Sequence, residues 1–239
     1  MDEIRKQIIR DNYLRVTEKI EAAKLKSPYG QEVVLLAATK TVPAEEIVYA
    51  VEELGLPMAG ENKVQEFLSK YDDLKGKCPL HIIGHLQTNK VKSIVGKADM
   101  IQSVDSVRLA DEIAKRSREM GIVTDVLCEI NIGKEENKGG VMPEEAEEFG
   151  EKLLETEGIR LRGFMTMAPV CENFDEYRKY FSKTYNIYLD FLGKKSHNII
   201  EPILSMGMSD SFEAAIMEGA TTVRVGSSIF GGRYYPPKG

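Results

Sequence analysis

The chain has 239 residues, 42% hydrophobic and 29% charged, which is enough for a large core and within the range of a single α/β barrel domain spanning 1–239. Its formal net charge of −6, with acidic and basic residues interspersed, argues against binding along a nucleic-acid backbone. No apolar run approaches the roughly 20 residues of a membrane helix, the charged start MDEIRKQIIRDNYLRV lacks a signal core, and three scattered cysteines without a CxxC suggest a reducing cytoplasm rather than a disulfide scaffold or zinc knuckle.

Residues 3–26 read as a helix. Ile4, Ile8, Ile9, Leu14, Val16 and Ile20 roughly follow one stripe, and Ser27-Pro28-Tyr29-Gly30 stops it. A strand–helix alternation then begins. The first strand is 33–39, and its helix opens at Pro43 with Glu45 and Glu46 in the first turn. A short strand, 57–60, leads to a helix from about 62, with Asn62 and Gln65 at cap spacing. Strand three is 80–84, with a helix near 88–96. Strand four is 99–103, with a helix at 106–120 stopped by Gly121. Strand five is 123–131, and its helix starts at Pro143. Strand six is 159–166, followed by a helix at 173–192 ending at Gly193. Strand seven is about 199–204, with Asp210 and Glu213 opening its helix at capping-box spacing. Strand eight is 221–225, and a last turn runs into Arg233-Tyr234-Tyr235-Pro236-Pro237.

Eight strand–helix pairs without a linker between them predict a closed (β/α)8 TIM barrel with an extra N-terminal helix. The strand runs are apolar on both faces, as a helix-covered parallel sheet requires. A doubly wound open sheet is the competing architecture.

In a barrel of this kind the chemistry lies at the carboxyl ends of the strands. Lys40 ends the apolar run Val33–Thr39 there. A lysine beside an apolar strand gives up its proton readily, and the neutral amine can attack an aldehyde. The competing reading is a lysine snorkelling to solvent. Two later strand ends, Leu204-Ser205-Met206-Gly207-Met208-Ser209-Asp210 and Arg224-Val225-Gly226-Ser227-Ser228, carry glycine and serine into a helix start, where backbone N–H groups suit a phosphate. They equally suit ordinary glycine turns. An aldehyde and a phosphate together suggest pyridoxal 5'-phosphate (PLP). Arg224, two before Gly226, can point inward toward an acceptor, either the pyridine nitrogen or a carboxylate partner.

Other features read as structural. His81 and His85 are four apart on a strand, the wrong spacing for a metal pair. The methionines at 165, 167, 206 and 208 read as barrel packing. Gly139-Gly140 reads as a polar loop at the mouth, able to act as a lid. Lys90, Lys92 and Lys97 read as a wet helix face.

Five regions carry a pattern that resembles the pyridoxal phosphate homeostasis protein family, whose fold is similar to the N-terminal barrel of alanine racemase. They are Ala37–Thr41, Gly60–Glu66, His81–Lys90, Gly163–Ala168, and Leu204–Asp210 together with Val223–Gly231. The resemblance implies that Lys40 holds PLP as a Schiff base and that Ser205, Gly226 and Ser227 hold its phosphate. It also implies that Asn62 lies beside the ring, Arg224 faces the ring nitrogen, and Met206 borders the site through its backbone. Ala59 stands where the family often has an aromatic residue, and Ser227 where threonine is common. The implied function is intracellular PLP homeostasis: buffering or delivering the cofactor, with apo-enzymes as recipients and with influence on amino-acid and keto-acid pools. The alternative is a PLP-dependent amino-acid racemase, which needs a second acid/base from a further domain. The chain ends at Gly239, just after the eighth unit. The expectation is therefore a monomeric binding protein with no catalytic residues and no metal.

Overall fold

The computed structural model describes residues 1–195 and 199–231. Eight parallel strands close into a barrel in sequence order: β1 (Val34–Ala38), β2 (Met58–Glu61), β3 (Leu80–Ile82), β4 (Met100–Val104), β5 (Thr124–Ile130), β6 (Ile159–Thr166), β7 (Ile203–Ser205) and β8 (Thr222–Val225). The ring is completed where β1 pairs with β8, with Leu36 opposite Arg224. The predicted TIM barrel is the fold observed, and the open sheet is excluded.

Helices α1 (Glu3–Lys26), α2 (Ala44–Leu54), α3 (Val64–Leu74), α4 (Val107–Glu119), α5 (Ala146–Glu155), α6 (Phe174–Lys195), α7 (Phe212–Met217) and α8 (Ser227–Phe230) surround it. Helix α1 packs through Ile9, Tyr13, Val16, Ile20 and Ala23, spaced four, three, four and three apart as one helical face requires. Ile4, Ile8 and Leu14 belong to other faces and are exposed. Asp2 caps the helix by accepting from the Arg5 N–H at 2.7 Å.

Several boundaries differ from the sequence reading. The segment 88–96 is a 3-10 helix over Thr88–Ser93. Gly193 does not end α6, which continues to Lys195; an exposed glycine near a helix end weakens the helix without breaking it. Strand β7 is shorter and later than 199–204. Neither Asn62 nor Asp210 caps a helix: those positions fall to Lys63 and Ser211. The last turn from Arg233 to Pro237 lies outside the described residues.

The core fills the layer between barrel and helices. Phe164 of β6 meets Phe191 of α6 edge-on, with centroids 5.1 Å apart and planes at 88°. Both are fully buried, each stabilising the fold by about 1.5–3 kcal/mol. Gly163 has a structural reason. The β5–β6 register shifts beside it, its φ is +138°, and a Cβ there would lie 2.0 Å from the Ile203 carbonyl oxygen. Inside the barrel, Met100, Leu127 and Met165 form a separate apolar cluster, with Met167 packed against it. No helix among the described residues is long and apolar enough to cross a membrane.

Candidate functional site

A cleft of ≈ 720 Å³ opens at the carboxyl ends of β1, β7 and β8, with Ala38, Lys40, Ser209, Arg224, Gly226 and Ser227 in its lining. Lys40 stands in the turn that follows β1. Ala38, at the end of β1, and Lys40, just beyond it, both line the cleft. Lys40 is half-buried, and among the described residues its ammonium has no hydrogen bond or ion pair. A lysine end without a partner, facing a cleft rather than open solvent, is available for a ligand.

Opposite Lys40, the loop after β7 meets the loop after β8. The Gly226 N–H donates to Ser209 Oγ at 3.3 Å. Gly226 must be glycine, because a Cβ there would lie 2.5 Å from the Ala38 carbonyl oxygen. The hydroxyl-bearing Ser209 and Ser227 thus flank a backbone drawn close against β1. Arg5 of α1 secures this corner. It donates to the Phe230 carbonyl at 2.8 Å and forms a two-point pair with Glu46, at 2.8 and 2.6 Å.

Beneath the cleft a polar chain crosses the barrel. Arg224 donates from Nη1 to Ser205 Oγ (2.7 Å) and from Nη2 to the Thr166 carbonyl (2.8 Å). Ser205 Oγ donates to Gln102 Oε1 (2.7 Å), and Gln102 Nε2 meets His81 Nδ1 at 2.9 Å. Burial lowers His81 to about 4, so the ring is neutral and Nδ1 accepts from the amide. Burial also lowers Arg224 to about 10, opposed by Glu129 across the barrel. Arg224 stays charged at neutral pH. Glu129 is raised to about 7, by burial first and by Asp105 second, while Arg224 pulls it down. The loop after β5 covers this carboxyl. It is tied down by Asn131, which donates to the Glu135 carbonyl at 2.8 Å, and by the Val141 N–H to the Glu129 carbonyl at 2.9 Å.

Lys40, Arg224, Gly226 and Ser227 therefore come together as expected. Three other residues do not join them. Ser205 does not line the cleft: it is fully buried, and its hydroxyl both accepts from Arg224 and donates to Gln102. From this segment it is Ser209 that reaches the cleft. Met206 is also fully buried, in the outer core, and its N–H is bonded to the Thr222 carbonyl at 3.0 Å. Met208, expected as packing, lines the cleft instead. Asn62 is outside the lining as well. It follows the end of β2, the strand that pairs with β1 as far as Ala38 and Gly60. Asn62 Oδ1 is buried, with no hydrogen-bond partner among the described residues. An orphaned acceptor there suits a ligand that brings a donor.

Sequence reasoning passed over the support behind Lys40. Lys70 sits on the buried face of α3 with Val64, Phe67 and Leu74. A lysine in an apolar stripe was the available signal. Thr41, directly after Lys40, has φ +63°, an unfavourable conformation for a β-branched residue that costs on the order of 1–3 kcal/mol.

An amine without a partner among the described residues, hydroxyls on two close loops, a buried guanidinium and an orphan amide oxygen together fit an aldehyde with an anionic tail. Comparison with known proteins agrees with this chemistry. Residues 6–234 match the family model described as alanine racemase, N-terminal domain. A pyridoxal phosphate homeostasis protein of Aquifex aeolicus is 46% identical over 223 residues, covering 92% of this chain and 96% of the relative. A solved structure of an unknown protein from Bifidobacterium adolescentis is 36% identical and superposes with a TM-score of 0.90, covering 96% of this chain and 97% of that one. PipY of Synechococcus elongatus PCC7942, solved with PLP bound, is 29% identical with a TM-score of 0.76, covering 89% of this chain and 98% of its own.

Proposed function

The chain belongs to the pyridoxal phosphate homeostasis protein family, and from that premise we propose that it binds PLP in the Lys40 cleft and acts in cytoplasmic PLP homeostasis, as a monomeric carrier that buffers the cofactor and delivers it to apo-enzymes. When bound, the cofactor supplies an aldehyde for covalent attachment and an aromatic ring that can accept charge. Lys40 would hold the aldehyde as a Schiff base. Ser209, Gly226 and Ser227 would hold the phosphate, and Asn62 would lie beside the ring. Arg224 would face the ring nitrogen. A guanidinium only donates, so that nitrogen stays unprotonated and the ring is a weaker electron sink, which favours holding over carbanion chemistry. Ser205 and Gln102 would act from below by keeping Arg224 in place.

The observation that carries this reading is Lys40, the half-buried amine at the cleft that has no partner among the described residues. Borohydride reduction of PLP-loaded protein followed by peptide mapping tests it. A pyridoxyl group on Lys40, and loss of the visible band in Lys40→Ala, are expected. Trapping on a different lysine, with an unchanged band in the variant, would overturn it. Transfer is tested by titrating an apo-enzyme into loaded protein with a trap for free PLP; activation lost to the trap would remove the delivery step.

A further inference from the structure

A buried charged network lies behind Lys40, on the side of β1 that faces α3, and the binding chemistry does not use it. Lys40 is the second residue of a four-residue turn closed by the Val42 N–H on the Thr39 carbonyl at 3.0 Å. Thr41 is the third residue, with φ +63°. A type II turn requires that sign of φ at this position, and glycine or asparagine normally supplies it. A β-branched residue holds such a conformation only when its surroundings determine it.

The contacts that determine it come from one face of α3. Lys70 Nζ donates to the Thr39 carbonyl at 2.9 Å, and Glu66 Oε2 accepts from the Thr41 N–H at 2.7 Å. Those two groups belong to the peptide units on either side of the Lys40 Cα. Lys70 and Glu66 are one helical turn apart, 3.8 Å from each other. Lys70 is anchored in turn on Glu61 Oε1 at 2.6 Å, which also accepts from the Thr39 hydroxyl at 2.7 Å. Lys70 is 8% exposed and Glu61 4%. Burying such a pair stabilises a fold less well than apolar residues of the same volume, so the pair calls for another reason.

We propose that Lys70 and Glu66 are positioning residues that clamp both peptide planes of Lys40 and so aim its side chain into the cleft. This rests on Lys40 being the amine that captures the aldehyde. The test uses pyridoxal, which lacks the phosphate and so reports on the amine without the anion-binding loops. Full-length protein is mixed with pyridoxal, reduced with borohydride at successive times, and the label on each lysine is quantified by peptide mass. Glu66→Ala should slow labelling of Lys40 by about tenfold or more and leave the other lysines at wild-type rates. Glu66→Gln keeps an acceptor for the Thr41 N–H and should restore the rate. Lys70→Met combined with Glu61→Gln removes the pair without leaving a lone buried charge, and should slow Lys40 likewise. Wild-type labelling of Lys40 in both Glu66→Ala and the double variant, each folded by circular dichroism, would overturn the positioning role while leaving the binding site intact. Wild-type protein that labels another lysine instead would overturn both.

Discussion

Replacing Glu129 by glutamine should make the protein acid-sensitive, and replacing His81 by glutamine should do the reverse. Glu129 rises from an ordinary 4.5 to about 7 in the fold, by burial and by Asp105. The folded state therefore binds this proton more tightly. The stability gained is full below pH 4.5 and is lost as pH rises through 7. His81 falls from 6.5 to about 4 because burial excludes its charged form. The unfolded state takes up that proton first, so stability falls as pH drops from 6.5 toward 4. Each displacement is about 2.5 pH units, or about 3 kcal/mol at about 1.4 kcal/mol per unit. Between pH 6.5 and 4.5 the two slopes oppose and largely cancel in the wild-type protein. Urea denaturation across this range measures the effect, and taking each variant relative to wild type removes the carboxylates common to all, including Glu61, which burial also raises. Relative to wild type, Glu129→Gln should lose about 2–3 kcal/mol between pH 6.5 and 4.5, and His81→Gln should gain a similar amount. Parallel curves for the three proteins would refute the opposed-titration account.

Ser205, which ends β7, and Ser209, in the loop beyond it, should separate by phenotype: Ser209→Ala should raise the PLP dissociation constant by about tenfold or more, through a lost contact to a charged group, while leaving pyridoxal capture unchanged. Ser205→Ala should leave phosphate affinity nearly intact but alter the visible spectrum by releasing Arg224, and fluorescence and absorbance titrations with both vitamers read the difference. Gly226→Ala places a Cβ against the Ala38 carbonyl and should destabilise the fold by about 1–3 kcal/mol; an unchanged urea midpoint would mean β1 and β8 move apart freely. Cys78 is raised to about 11 and the fully buried Cys128 is raised as well, both chiefly by burial, so neither should be alkylated by iodoacetamide at neutral pH until the protein is denatured, as mass spectrometry can follow.

The barrel was legible in the sequence because each strand is a short apolar run bounded by turn residues, and the alternation repeats eight times. Lys40 and Arg224 were legible for a related reason: a charge at an apolar strand end is unusual, and for Arg224 the period of two gives its direction. The choice between Ser205 and Ser209 was not. It depends on where β7 stops, and β7 is only Ile203–Ser205. Gly207, at φ +90°, then turns the chain and brings Ser209 to the cleft. Nor did local pattern reveal the inward chain from Arg224 to His81, because its members come from β3, β4, β7 and β8 and meet only when the ring closes. The apolar stripe of α3 marks Lys70 as buried, but its partners, Thr39 and Glu61, come from elsewhere in the chain and are set only by the fold.

The close approach of Gly226 to Ala38 lies at the seam between the first strand of the ring and the last. A molecule gripped by Lys40 on one side and by Ser227 on the other would act as a clasp across that seam. During synthesis the amine emerges early and its counterpart late, so a nascent chain cannot retain such a guest until almost the whole ring has been made. Once fastened, the clasp would resist the fraying of the terminal strands, and the loaded protein would outlast the empty one under proteolysis.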